Sequence, residues 1–165
     1  MRVIGVAGWS GAGKTTLIRR VLPVLIRRGL RVSTIKHAHH GFDVDQPGKD
    51  SWVHREAGAT EVLVASAARF ALMHELRDEP EPALPDLLAR LMPVDLVIVE
   101  GFKRDSHPKI EVRRQSVGKP PLYPDDPAIV AVASDVKLAG LLIPVLPIDD
   151  AAAIATTMAD AAAVI

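Results

Sequence analysis

The residues with the clearest chemical potential lie near the start of the chain. Gly8-Trp9-Ser10-Gly11-Ala12-Gly13-Lys14-Thr15 fits the spacing G-x-x-x-x-G-K-[ST] at every position. Glycines at 8, 11 and 13 let the backbone curl and point successive N–H groups into one hollow. A helix that begins just after the loop adds the partial positive charge of its N-terminus. Lys14 is placed to reach β- and γ-phosphates, and the Thr15 hydroxyl to ligate Mg²⁺. The candidate phosphate-binding set is Gly8, Ser10, Gly11, Ala12, Gly13, Lys14, Thr15 and Thr16. The competing reading, a Gly-rich turn with an exposed lysine, leaves unexplained why a strand precedes the motif and a helix follows it.

A phosphate loop needs a second group near its metal. Asp95-Leu96-Val97-Ile98-Val99-Glu100-Gly101 is a buried-strand pattern that ends in an acid. Glu100, at the carboxyl end, can hold Mg²⁺ directly or through water, or orient an attacking water, which makes it the catalytic candidate. Gly101 stands where a chain offering its N–H to a γ-phosphate favours glycine. Asp95 lies at the other end and reads as a turn residue. The alternative for Glu100 is a solvated strand end. Asp135 closes Ala131-Val132-Ala133-Ser134 and can accept from the N1 and N2 groups of guanine. The motif Asn-Lys-x-Asp is missing, so an N-cap or surface role for Asp135 stays open beside it.

The stretch KHAHHGFDVDQPGKDS, residues 36–51, holds three histidines and three aspartates. Three readings compete. One is a transition-metal site from His37, His39, His40, Asp43 and Asp45, although adjacent histidines rarely bind one ion. The second is a switch-like loop, with Asp43 or Asp45 approaching Mg²⁺ through water and Lys36, His37 or Lys49 approaching phosphate oxygens. In that reading the histidines also contact a pterin phosphate or a partner protein. The third is structural, with Asp50 or Ser51 capping the next helix. His37 and Asp45 are carried forward as candidate ligand residues.

These groups need a scaffold, and the pattern supplies one. Arg2–Ala7 reads as a buried strand. Residues 14–28 read as a helix with Pro23 inside it and Gly29 as its stop. Residues 31–35 form a second strand, and the histidine stretch begins where it ends. A short helix follows over 50–57, closed by Gly58. Residues 61–65 and 69–74 read as a hairpin, expected to make the sheet mixed. ELRDEPEP reads as an exposed connection. A helix is expected over 84–92, a central strand over 96–99, and strands over 109–113, 129–133 and 145–147. Asp149 or Asp150 caps a last, Ala-rich helix with Ile154, Met158 and Ile165 facing inward. This alternation predicts a single α/β domain over residues 1–165, a mostly parallel mixed sheet flanked by helices.

Composition agrees. Of 165 residues, 48% are hydrophobic and 4% aromatic, so the core is aliphatic. Twenty basic residues balance twenty acidic ones, which argues against a general nucleic-acid binder. There is no cysteine, which removes thiol catalysis, disulfides and Cys-based zinc sites. No apolar run is long enough for a membrane helix. A cytoplasmic, soluble chain is expected. From Gly101 to Lys119 six Lys/Arg face two acids, either a solvated face or a basic surface for an anionic cofactor or acidic partner, led by Lys103 and Arg104.

Together GWSGAGKTT, KHAHHGFDVDQPGKDSWVHREAGA and DLVIVEGFKRDSHPKIEV resemble the molybdopterin-guanine dinucleotide biosynthesis adapter (MobB) family, from the first strand to about Asp135. The phosphate loop is common to many NTPases; the histidine stretch with PGKDS and AGA, and VEGFK, are more specific. The resemblance implies the P-loop NTPase fold shared by metallocofactor maturation GTPases. It also implies GTP binding with weak hydrolysis at most. It further implies a homodimer that assists the guanylyltransferase (MobA-like) attaching GMP to the molybdenum cofactor. Partitioning-type ATPases carry an extra lysine early in the loop; here Gly8-Trp9-Ser10 lacks it. Two rivals remain, a small-molecule kinase, for which no lid signature is evident, and a nickel-handling maturation GTPase, which the histidines favour.

Overall fold

Strand β1 (Arg2–Ala7) runs up the middle of the sheet and delivers the chain into the phosphate loop. Helix α1 (Lys14–Arg27) leads back to β2 (Val32–Lys36), as a parallel crossover requires. The helix ends by a Schellman motif. Gly29 is left-handed at φ 84°, its N–H meets the Ile26 carbonyl at 2.9 Å, and the Leu30 N–H meets Leu25 at 3.3 Å. The remaining elements are α2 (Asp50–Glu56), β3 (Glu61–Ala65), β4 (Phe70–His74), α3 (Leu84–Ala89), β5 (Leu96–Glu100), β6 (Lys109–Arg113), β7 (Ile129–Ser134), β8 (Val145–Pro147), α4 (Ala151–Ala161) and β9 (Ala163–Val164). This computed structural model describes residues 1–38 and 41–164. They fall into two compact units, Met1–His37 with Leu84–Ile165, and Ala38–Ala83.

The larger unit carries a sheet in the order β2-β5-β1-β6-β7-β8, with all these pairings parallel. One face is a continuous aliphatic core. Ile4, Val6, Ile98, Ile110 and Val112 pack there against Leu17, Val21 and Leu25 of α1 and Ile154 and Met158 of α4. On the other face Val3, Val97 and Val99 meet Leu84 and Leu88 of α3. The β1–β6 register pairs Gly5 with Lys109 and Ala7 with Glu111, so both charged residues stand on this second face. Both are buried. The Lys109 ammonium donates to the Asp105 carbonyl and lies 3.2 Å from Asp126 Oδ2. The Glu111 carboxylate accepts from the N–H groups of Leu122 (3.0 Å) and Tyr123 (2.9 Å). Buried charges persist only with such partners. Here loops, tied down by strand charges, cover the part of the sheet that no helix reaches.

Several expectations are altered. The hairpin β3–β4 forms its own two-stranded sheet and does not join the main one. The main sheet is mixed because β9 pairs antiparallel with β1. The last helix therefore stops at Ala161, and Ile165 lies outside the described residues. Helix α3 ends at Ala89, where Arg90 and Leu91 make i→i−3 bonds to Leu87 and Leu88; Pro93 disfavours helical backbone just before it. Asp150, not Asp149, caps α4, accepting from Ala153 N–H at 2.9 Å; Asp149 pairs with Arg20.

The smaller unit is organised by Arg55. Its guanidinium lies 2.7 Å from Asp43 Oδ2, 2.8 Å from Glu75 Oε1 and 3.3 Å from Asp45 Oδ2. His74 sits between Glu61 (2.8 Å) and Glu79 (3.2 Å), and these hydrogen bonds raise its pKa. Helix α2 ends as α1 does, with Gly58 left-handed. Neither Asp50 nor Ser51 caps it: the N-cap is Lys49 and no side chain serves. The Ser51 hydroxyl instead donates to Asp45 at 2.8 Å. Among the described residues no helix is long and apolar enough to cross a membrane.

Candidate functional site

The loop between β1 and α1 is built as its glycines require. Gly8, Gly11 and Gly13 have φ of 143°, 79° and 96°, values that side chains resist. Gly8 has a second reason: a Cβ there would lie 2.6 Å from the Val112 carbonyl. Gly13 is the N-cap of α1, and no side chain bonds the helix start, nor does any acid stand in its first turn. The N-terminal N–H groups and the dipole thus face a position that an anion can take. Ser10 and Gly11 form the exposed crest, Ala12 is buried beneath it, and Thr16 is half-buried in the first turn.

The Lys14 ammonium bonds back to the carbonyls of Gly8 (3.0 Å) and Trp9 (3.1 Å), which holds it across the loop. Burial lowers its pKa; Glu100 opposes this, while Lys103 and Lys36 add to it. Lys103 and Lys36 thus stand near enough for their charges to act on Lys14.

Glu100 ends β5 in register with Val6 and Lys36. The Thr15 hydroxyl lies 3.2 and 3.3 Å from its two carboxylate oxygens. A hydroxyl and a carboxylate are hard oxygen donors, and one or two such groups plus phosphates are what Mg²⁺ accepts. Gly101 follows at φ 108°, with room for no side chain: a Cβ would sit 2.6 Å from His37 Cβ. His37 donates its N–H to the Glu100 carbonyl at 2.8 Å, and its ring lies 4.8 Å from that of Phe102. Phe102 itself has a positive φ of 47°. Lys103 then lies over the Trp9 ring, 5.3 Å from its centroid. Phosphate loop, acidic strand end and His37 thus converge within one unit.

Two candidates are engaged elsewhere. Asp135 Oδ1 accepts from the Gln115 N–H at 2.9 Å, fixing the 3₁₀ turn Gln115–Val117. Asp45 belongs to the smaller unit. One oxygen accepts from Gln46 N–H and Ser51 Oγ, and the other faces Arg55. His39 and His40 lie outside the described residues. Among those described, no group of three or more His, Asp or Glu is arranged to hold a metal ion.

Sequence reasoning passed over Trp9 and Glu111. The Trp9 indole donates to the Pro120 carbonyl at 2.7 Å, which ties the phosphate loop to the segment that Glu111 anchors. A tryptophan inside a phosphate loop was a visible signal; an acid in a weakly alternating strand was not.

Residues 3–135 match the family described as molybdopterin guanine dinucleotide synthesis protein B, MobB. The molybdopterin-guanine dinucleotide biosynthesis adapter protein of Escherichia coli K12 is 46% identical over 151 residues, covering 90% of this chain and 86% of its own. The protein of that name from Haemophilus influenzae is 45% identical over 139 residues, covering 82% and 76%. A crystal structure of molybdopterin-guanine biosynthesis protein B superposes with a TM-score of 0.74 at 31% identity, over 93% of this chain and 94% of that one. With its P-loop architecture and this breadth of similarity, the chain belongs to the MobB family.

Proposed function

We propose that the protein is a GTP-binding adapter in molybdopterin guanine dinucleotide biosynthesis. The observation that carries the nucleotide reading is the Thr15–Glu100 contact beside an uncapped helix start. GTP phosphates lie on the backbone from Gly8 to Thr16 with Lys14 across them. Mg²⁺ lies on Thr15 with Glu100, directly or through water. Hydrolysis is weak, with Glu100 orienting the water. His37 and Gly101 border the γ-phosphate side. Asp135 keeps one oxygen for the guanine base, and Asp45 acts on the ligand side only if Arg55 releases it. The adapter role is supported by the names of the relatives; the partner is a MobA-like guanylyltransferase carrying the molybdopterin cofactor, in the cytoplasm.

A homodimer is part of the same reading. Leu63, Phe70 and Leu72 of the hairpin are 60%, 68% and 51% exposed, more apolar surface than a free hairpin ordinarily shows. Sedimentation equilibrium tests it, and a monomer at micromolar concentration overturns it.

The decisive experiment is a titration with GTP and Mg²⁺, in competition with ATP, repeated with the guanylyltransferase present. GTP binds, and Lys14→Ala abolishes binding while the thermal transition persists. Unchanged GTP affinity in that variant refutes the phosphate-loop assignment.

A further inference from the structure

The segment after the acidic strand end reaches back to the phosphate loop. Gly101 and Phe102 have φ of 108° and 47°, which glycine adopts freely and phenylalanine does not. Just beyond this turn, the Lys103 ammonium lies over the Trp9 ring, 5.3 Å from its centroid. Trp9 is a residue of the loop itself. Its indole N–H donates to the Pro120 carbonyl at 2.7 Å, so the ring that Lys103 covers is held in place.

Lys103 is a cation held without a carboxylate. It is half-buried, and among the described residues it enters no ion pair. A ring face holds an ammonium more weakly than a phosphate oxygen does. Burial lowers the Lys14 pKa most, and the charge of Lys103 lowers it further. The two ammonium groups therefore repel each other, and an anion that meets both relieves that repulsion. Lys14 comes to such an anion from the loop. Lys103 comes from the end of β5, the side on which Glu100 faces Thr15.

Resting on the nucleotide reading of this loop, we propose that Lys103 distinguishes a nucleoside triphosphate from a diphosphate: its ammonium leaves the Trp9 ring to bind γ-phosphate oxygens. Lysine suits this, as a point charge with rotatable donors on a flexible stem. Trp9 holds it close to the loop until the γ-phosphate takes it.

Isothermal titration with GTP and with GDP, both with Mg²⁺, tests the assignment. The native chain binds GTP more tightly than GDP. Lys103→Met keeps an apolar stem and removes the charge. It weakens GTP binding by about tenfold or more and GDP binding by about twofold at most. Lys103→Arg keeps most of the preference, and a thermal melt checks each variant. The chain has two tryptophans, so in a Trp52→Phe background the emission is that of Trp9. GTP changes it differently from GDP, and Lys103→Met removes the difference. The proposal is overturned by equal native affinities for the two nucleotides, by a Lys103→Met loss that is equal for both or absent, or by Trp9 emission that does not tell them apart. Lys14→Ala separates the two levels. If it leaves GTP binding unchanged, the nucleotide reading falls and this role with it. If it abolishes binding while Lys103→Met keeps the GTP preference, the Lys103 role alone falls.

Discussion

The hydroxyl of Thr15 lies 3.2 and 3.3 Å from the two carboxylate oxygens of Glu100, across 85 residues of sequence. This pair joins the start of α1 to the end of β5, and places two hard oxygen donors at one point. A cation bound there would be shared between them, so their substitutions are expected to act together. Thr15→Ala and Glu100→Gln are each expected to weaken Mg²⁺-dependent GTP binding by about tenfold, with a double variant little worse than either. With EDTA present the differences shrink. Additive losses, or losses that persist without Mg²⁺, argue against a shared ion; isothermal titration reads both.

Gly101 is expected to tolerate no side chain. Its φ of 108° is strained for alanine, and the added Cβ would lie 2.6 Å from His37 Cβ. Gly101→Ala should cost about 1–3 kcal/mol in urea unfolding and shift the His37 and Phe102 ring resonances. An unchanged midpoint removes the argument for a forced glycine.

Glu111 holds the segment after Lys119 by two N–H groups. In Glu111→Gln an amide oxygen at the Oε2 position can still accept from both, but the charge is gone and the –NH₂ at the Oε1 position meets the Leu122 N–H donor to donor. The loss is expected to be about 1–3 kcal/mol. Amide hydrogen exchange at Leu122 and Tyr123 should speed up before that of β6. If these amides keep their protection, the carboxylate is not their anchor.

Two histidines should push stability in opposite directions with pH. Burial, then the charge of Lys109, holds the His107 pKa below 6.5. Its contribution is therefore present above pH 6.5 and lost as pH falls through the depressed folded value. The His74 pKa is raised above 6.5 by Glu61 and then Glu79. Its contribution is present below pH 6.5 and lost as pH rises through the raised value. NMR titration of the two rings checks both signs. His107→Leu should flatten the acid limb of a melting profile, and His74→Gln should flatten the pH dependence of exchange in β3–β4. A His107 ring titrating above 6.5 sinks the first half.

Most element positions were legible because hydrophobic period and breakers are local signals. Gly29 and Gly58 end helices for reasons contained in a few residues, and Asp150 caps α4 through a neighbour three residues on. The hairpin was also legible as a hairpin, but not its separation from the main sheet, since nothing in residues 61–74 states which edge they avoid. The units divide at 37/38, inside the histidine-rich stretch, and at 83/84, just after the acidic, Pro-rich ELRDEPEP, but neither signal says by itself that a separate unit lies between them. Strand β9 is two residues long and carries no pattern at all. Residues 109–113 were legible as a strand, but an isolated sequence cannot show that loops return to cover Lys109 and Glu111.

By itself, then, the sequence determined the phosphate loop, its strand and helix, and the buried acidic strand. These rest on backbone conformations and periodicities that neighbouring residues dictate. The tertiary structure alone decided what those pieces face. It set Glu100 against Thr15 through the β1–β5 register, bound Asp43 and Asp45 of the histidine stretch to Arg55, and turned the charges of β6 inward. Each of these depends on contacts between residues far apart in the chain, where burial makes a charge costly until a partner is brought to it.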